Sequence, residues 1–539
     1  MKKYILITLL ISMALVINSC SKDNLDIPQR GVINTQDYYA NATDAEAQAL
    51  IAYIYKQIYE TTNHNWIQMW AGLAKNTETT GGIYSNVNVS SQNHNANDIY
   101  FDLYRINHLC NMIIENLEEN SAEKTIIKGE AYFWRGWVNT YLIQAWGTPP
   151  LVDHVLGQDE LNLPNGDPAQ LWDFVEASLQ EAITRLPQKS GVNGQSEIGG
   201  RVTVHSAYAL LGKSQLWSGR YAASISSLEQ VISSNLYGLE PDYTLLYRPM
   251  TDYSMEYVWE FNIEDSDLAN YNLENDRRTL SMGWRTENVE MPGGVFNGFG
   301  IASNYTKDFY DFIEGRGEKG LNRYMGTVWA FEEALDKFIE LEGAANRAES
   351  IDMFWKDSPV LANSQGYLRS KMYPYEEDIF PNNADQDLFT KANWPGMRYS
   401  EVLLNYAEAC MLSNTKLAEG LVALNEVRSR AGLAPLGALT LQAVKDEKRA
   451  ELVLEGNRFL DLVRWGDAAS ELGDRGLENH SFLGYVNGTD VENGTPADYN
   501  IQVEPVQGSQ GFITGRDELF PFPYTELLLN ENLVQNPGW

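Results

Sequence analysis

Two helical stretches of this chain, far apart in sequence, carry the same apolar register. Tyr221, Ile225, Leu228 and Val231 recur as Leu417, Leu421, Leu424 and Val427, each offset by 196 residues. Steps of four, three and three residues place each set on one face of an α-helix. Each stretch also follows another helical pattern, giving hairpins near 203–234 and 399–431. The same periodicity marks the N-terminal half. "TDAEAQALIAYIYKQIY" opens with Thr43 three residues before Glu46, a capping box, and continues through Ala47, Leu50, Ile51, Ile54 and Ile58. Further helices are predicted over Ile99–Leu117 and Ala122–Trp146. Asp167 as N-cap and Pro168 at the first position begin another, with Leu171, Val175, Leu179 and Ile183 on one face.

A helical hairpin with small residues at its turn resembles a tetratricopeptide repeat. An offset of 196 is not a multiple of that repeat's length, so a large insertion must separate the two hairpins in sequence. The inserted stretch, about 235–395, has another texture. "MEYVWEFNI" alternates like a strand through Tyr257, Trp259 and Phe261, "MPGGVFNGFGIASNY" reads as loop, and 355–394 shows no sustained period. The expected fold is mostly α: tetratricopeptide-like helical-hairpin repeats form a scaffold carrying a large irregular inserted subdomain with few short strands. The expected divisions are 1–19, 20–42, 43–234, 235–395 and 396–539. A long irregular region on a helical frame is where binding function is usually carried.

Lys2 and Lys3 precede an apolar run from Ile5 to Ile17, too short to span a bilayer and typical of an export signal. Ile17-Asn18-Ser19 before Cys20 resembles a bacterial lipobox, which makes 1–19 a lipoprotein signal peptide and Cys20 the lipidation site heading a tether over 20–42. The alternative is an ordinary signal peptide cut nearby. Two or three acyl chains hold a protein stably to a membrane where one does not. Loss of the signal leaves 38 Lys+Arg against 73 Asp+Glu, a net charge of −35. Such a surface repels nucleic acid and anionic lipid. Cys110 and Cys410 sit in apolar helical patterns and read as buried free thiols; a bridge between them is unsignalled.

Signals of catalysis are weak. HExxH, GxSxG and CxxC are absent, six scattered histidines offer no metal-ligand spacing, and no cofactor motif stands out. "GRGEKG" (Gly315–Gly320) matches a phosphate-loop spacing but follows a helical stretch and reads as a charged loop. "NNADQDLF" (Asn382–Phe389) lacks the glycine and distal glutamate of a calcium loop. A pair of acids among 73 arises by chance, so an exported glycoside hydrolase has no specific support.

The C-terminal third carries "RYSEVLLNYAEAC", "ALNEVRSRAGL", "EKRAELVLEGNRFLDLVRWGD" and "LFPFPYTELLLNENLVQNPGW", while "RGWVNTYLIQAWGTPPLV" and "NLDIP" stand in the N-terminal part. Together these resemble the SusD/RagB-like family of nutrient-binding outer-membrane lipoproteins of Bacteroidetes. Lys448 and Pro149 depart from its usual pattern at scaffold positions. The resemblance implies a lipid-anchored protein on the outer face of the outer membrane, without catalysis. It would bind an oligosaccharide and pass it to a SusC-type TonB-dependent transporter, with the stacked hairpins as the docking side. A scaffold of helical repeats that only organises other proteins is the first alternative, and an exported glycoside hydrolase the second.

The signature residues themselves look structural. Glu455, Arg458, Asp461 and Arg464 recur every three residues and are expected to pair on adjoining turns, with Arg449 reaching Glu451 or Glu455. Sugar binding favours flat aromatics beside amides and carboxylates. Trp134, Trp137, Trp146, Trp172 and Trp217 lie in helices and are expected in the core, as are Trp66 and Trp70. Trp394, Trp465 and Trp539 stand in or beside the signature motifs. Trp284 and Trp355 remain in irregular insertion segments, with Arg285, Phe296, Asn297 and Phe299 near Trp284. A second polar loop, "TETTGGIYSNVNVSSQNHN", presents Tyr84. The candidate ligand contacts are therefore Tyr84, Trp284, Arg285, Asn297, Phe299 and Trp355.

Overall fold

The computed structural model describes residues 35–62, 74–78, 94–189, 200–262, 304–355, 361–362, 364–373, 375–378 and 391–539. Its N-terminal part runs through α1 (Thr35–Asn41), α2 (Asp44–Thr61), strand β1 (Thr77–Glu78), α3 (His94–Asn116), α4 (Ala122–Trp146), α5 (Pro168–Arg185), α6 (Val204–Trp217) and α7 (Tyr221–Ile232). The predicted caps are present. Glu46 N–H donates to Thr43 Oγ1 and Thr43 N–H donates back to Glu46. Asp167 accepts from Ala169 and Gln170 ahead of Pro168. Each helix from α3 to α7 packs on the one before it. At Gly212 a Cβ would lie 2.5 Å from Leu228 Cγ, and at Gly136 one would lie 2.8 Å from Leu179, so both crossings require glycine. The two free cysteines, Cys110 and Cys410, are buried.

After α7 the chain leaves the stack. Its next elements are β2 (Tyr257–Phe261), β3 (Asn304–Tyr305), α8 (Lys307–Gly315), α9 (Asn322–Met325), β4 (Val328–Ala330), α10 (Phe331–Glu342), α11 (Arg347–Trp355), β5 (Leu361–Ala362), β6 (Tyr367–Arg369) and β7 (Trp394–Arg398). Strands β2 and β7 pair antiparallel, Tyr257 opposite Arg398 and Phe261 opposite Trp394, so the departing and returning chains lie side by side. Helix α12 (Tyr399–Ser413) then packs directly on α7, and α13 (Leu417–Arg430) on α12. Tyr406 Oη donates to Glu229 across that junction at 2.8 Å. The two hairpins with a common register are thus neighbours, and the stack is continuous in space where the sequence is interrupted. The chain closes with α14 (Leu441–Glu451), α15 (Arg458–Trp465), α16 (Ala468–Leu472), β8 (Glu478–Tyr485), β9 (Tyr499–Pro505) and α17 (Tyr524–Leu529). The architecture is mostly helical with few short strands.

Strand β2 forms where the alternation predicts it and is buried on both faces. Its alternation separates apolar Trp259 and Phe261 from the buried carboxylate of Glu260, which accepts from Tyr253 N–H. Trp355 does not lie in irregular chain: it is the last residue of α11. The predicted ladder along one helix does not form either. Leu454 and Gly456 have φ of 68° and 85°, which turns the chain between α14 and α15 and separates Glu455 from Arg458. Arg464 pairs with Asp461 as expected, but Arg458 turns to Glu471, and Arg449 to Asp308 rather than to Glu451 or Glu455.

In place of that ladder stands a buried ion network. Glu451 meets Arg398 at 2.8 Å and Arg323 at 3.1 Å, and also pairs with Arg430. Glu455 meets Lys371 and Arg398, each at 2.6 Å. Glu447 receives Arg323 at 2.6 Å, Arg316 at 2.5 Å and Arg428 at 3.1 Å. Glu318 pairs with Arg316 and Arg323, and Glu256 with Arg398 and Arg430. Arg316 and Glu318 belong to "GRGEKG", a charged turn that is otherwise exposed, as expected, and that sends these two side chains into the buried network. Lys448, unusual at its position, makes a second buried cluster with Glu408 and Asp461. Burial pushes the carboxyls of Glu447, Glu451 and Glu455 up, but the surrounding cations outweigh it and hold all three below the usual carboxylate range.

Candidate functional site

Strand β1 reaches the inserted segment from the N-terminal helices. Thr77 lies opposite Tyr305 and Glu78 opposite Asn304, within a sheet ordered β1-β3-β6-β4. Residue 79 continues from β1 into the polar stretch that holds Tyr84, and residue 303 leads back into β3 from the stretch that holds Trp284, Arg285, Asn297 and Phe299. The bases of the two candidate loops, more than 200 residues apart in sequence, therefore lie on adjacent strands. Tyr84, Trp284, Arg285, Phe296, Asn297 and Phe299 themselves lie outside the described residues, as do Cys20, Trp66, Trp70 and the "NNADQDLF" stretch. Of Trp355 the helix position is described and the side chain is not.

The base of this face is held by a residue the sequence did not single out for it. Arg449 donates to Asn76, just before β1, at 3.3 Å and pairs with Asp308, just after β3, at 2.6 Å. Its guanidinium also lies 4.4 Å from the Phe312 ring centroid. Thr306 N–H adds a bond to the Asn76 carbonyl at 3.0 Å. Arg449 belongs to the signature "EKRAELVLEGNR", and its reach across 373 residues to Asn76 has no local signal.

The helical and strand tryptophans serve the core. Trp134 and Trp146 are fully buried, Trp134 stacks on Phe261 at 5.8 Å, and Trp172 and Trp217 pack against the same cluster. Trp329 lies in a satellite cluster with Phe331, Phe338, Leu368, Tyr373 and Phe482. Trp539 donates to the Arg516 and Leu519 carbonyls, and Trp146 to that of Pro521, which pins the C-terminal tail.

One described cavity holds ionisable groups. About 40 Å³ in volume, it is lined by Lys189, Arg201, Thr203, Tyr253, Trp259 and Glu260 among others. Burial pushes the Glu260 carboxyl up to about 7 and the Lys189 ammonium down to about 8. Such a volume holds a few waters rather than a sugar ring. Among the described residues no cluster of His, Cys, Asp and Glu could hold a metal ion. No described helix is long and apolar enough to cross a membrane.

A family model described as "Starch-binding associating with outer membrane" matches residues 25–216. SusD-like protein P25 of Formosa agariphila is 24% identical over 408 residues, covering 70% of this chain and 72% of its own. Among solved structures, a laminarin binding SusD-like protein superposes with a TM-score of 0.70 at 22% identity, covering 92% of this chain and 99% of its own. Surface glycan-binding protein A from Bacteroides thetaiotaomicron gives a TM-score of 0.68 at 21% identity, over 93% and 100%. At these identities the structural likeness establishes the fold. The SusD family model matches residues 255–539, more than half of the sequence, and this chain belongs to the SusD family.

Proposed function

We propose that this protein is a lipid-anchored, cell-surface binder of an oligosaccharide, which it delivers to a SusC-type TonB-dependent transporter. The observation that carries the reading is the β1–β3 pairing, which roots the loop bearing Tyr84 beside the segment bearing Trp284, Arg285, Asn297 and Phe299. The residue types these two stretches carry in sequence, indole and phenol rings, amides and a guanidinium, suit the apolar face and the hydroxyls of a pyranose. Relatives described as laminarin binding and surface glycan-binding support the ligand class, and their names are those of binding proteins rather than enzymes. Cys20 would supply the tether, consistent with a family model described as associating with the outer membrane.

Calorimetry against a panel that includes laminarin and starch oligosaccharides tests the reading. The expected result is saturable binding without release of reducing ends; no binding to any glycan, or hydrolysis, would overturn it. Trp284→Ala and Trp355→Ala should each lower affinity about thirtyfold, roughly 2 kcal/mol, with unchanged melting. Lowered melting together with lowered affinity would assign those indoles to small cores under their loops. Cys20→Ala should release the intact fold from membranes when the transporter is absent. Co-expression with the transporter should yield a complex.

A further inference from the structure

We infer that the C-terminal tail and the 157–165 loop together form the surface on which the transporter docks, an inference that rests on the transporter partnership proposed above. Leu528 and Leu529 are 64% and 78% exposed, Val534 is 69% exposed and Leu161 is 59% exposed, with half-exposed Tyr524 one turn before Leu528 on α17. Hydrogen bonds bring these residues to one place. Asn530 donates to the Leu163 carbonyl at 2.8 Å, Asn532 to the Asn162 carbonyl at 2.7 Å, and Asn165 exchanges two bonds with the backbone of Val534. Asn536 fixes the next turn to the carbonyls of Trp146 and Phe520. Leu527 and Leu533 point inward and fill the core, so the chain already has its anchors and still holds three large aliphatic side chains in water.

An exposed apolar cluster on a rigid, polar-rimmed platform is preorganised for a partner, because little side-chain or loop ordering remains to be lost on binding. Charge narrows the occupant. The stretches 157–165 and 524–536 contain Asp159, Glu160, Glu526 and Glu531 and no Lys or Arg. With the whole chain at −33, that rim disfavours an anionic lipid surface and fits an apolar protein face ringed by lysine and arginine. The repeat stack is a poorer match. Its exposed apolar side chains are scattered: Tyr53 on α2, Phe101 on α3, and Leu417 and Val422 on α13, the last two five residues apart and hence on different faces.

The test is co-purification of the full lipidated chain with the co-expressed transporter, followed by affinity measurement in detergent. Leu528→Asp with Leu529→Asp should weaken the complex at least tenfold, and Glu531→Lys with Asp159→Lys should also weaken it. Glycan affinity and melting should stay unchanged, and Val422→Asp on the stack should have no effect. Failure of the wild-type chain to bind would refute the transporter reading itself. A wild-type complex that survives the tail variants, or that Val422→Asp abolishes, would overturn only the docking assignment. Three other occupants would overturn it as well. A wild-type dimer that the leucine variants convert to monomer assigns the patch to a second copy. Protection of Leu529→Cys from maleimide that disappears when residues 21–34 are removed assigns it to the tether. Binding of the Cys20→Ala chain to phosphatidylglycerol vesicles, lost in the leucine variants, assigns it to lipid.

Discussion

The hairpin stack and the seam beneath it are held by opposite chemistries. In the stack, α6 meets α7 through Leu228 lying over Gly212, and α4 meets α5 through Leu179 over Gly136. Contact at these crossings is aliphatic, close and made between helices that follow each other in sequence, although the stack also buries Glu130 against Arg201 and Lys213 against Glu401. At the seam, Glu256, Arg316, Glu318, Arg323 and Lys371 of the inserted segment meet Arg398, Arg428, Arg430, Glu447, Glu451 and Glu455, all largely buried and only Arg316, Arg428 and Glu455 reaching solvent at its edge. Apolar packing tolerates repacking and small shifts in register. A buried ion pair does not, because an ion displaced from its partner carries its full desolvation cost. The difference suggests a division of labour, with the stack giving bulk stability and the seam fixing one orientation of the insertion.

The strongest way to break this contrast is Glu451→Ala, which leaves Arg323, Arg398 and Arg430 short of a counter-charge. It should cost about 3–5 kcal/mol in urea unfolding. Glu455→Ala should cost less, because its side chain is 11% exposed and its cations keep other acceptors. A loss below about 1 kcal/mol for Glu451→Ala would show that the seam is not what holds the insertion.

Leu228→Ala, in the stack, should cost about 3 kcal/mol through lost burial and a cavity over Gly212. Its signature should differ from that of the seam: general destabilisation, with no separate early transition of the inserted segment. Differential protection in hydrogen exchange would distinguish the two.

Acid sharpens the comparison further. Glu260 titrates near 7 in the folded protein against 4.5 unfolded, so the fold binds the extra proton and stability should rise by about 2 kcal/mol as the pH falls from 8 to 5. The carboxyls of the seam are held low in the folded state, so their contribution is present above about pH 4.5 and is lost below it. Melting temperature should therefore peak near pH 5. Glu260→Gln should flatten the neutral limb and leave the acid limb intact; a peak that survives this substitution would exclude Glu260 as its cause. The smallest expected effect is that of Val422→Asp, an exposed position on the outer surface of the stack, within about 0.5 kcal/mol.

The helices, their caps and the helical tryptophans of the core were legible because their signals lie within a few residues. Thr43 and Glu46 find each other across one turn, and Leu171, Val175 and Leu179 share a face through the helical period alone. The family signature was legible for the same reason, as runs of contiguous residues. Of the candidate site the sequence offered residue types: aromatics, amides and an arginine in stretches without a period. Loops carry no repeating pattern, so that the described chain flanking these two stretches lies on adjacent strands became clear only from the β1–β3 register. Trp355, read as loop, ends a helix because the nine residues of α11 are too few for their period to show against a polar background.

Only the tertiary structure chose partners across long stretches of chain. Arg316 reaches Glu447 over 131 residues, Arg398 reaches Glu256 over 142, and Arg449 reaches Asn76 over 373. The sequence determined that these groups were charged and close to helices. Which carboxylate each guanidinium would meet depended on the turn at Leu454 and Gly456, and on where the insertion returned to the stack. Helix formation is a local free-energy balance that short sequence windows contain. Ion pairing is decided by which desolvated charges the finished packing brings within reach.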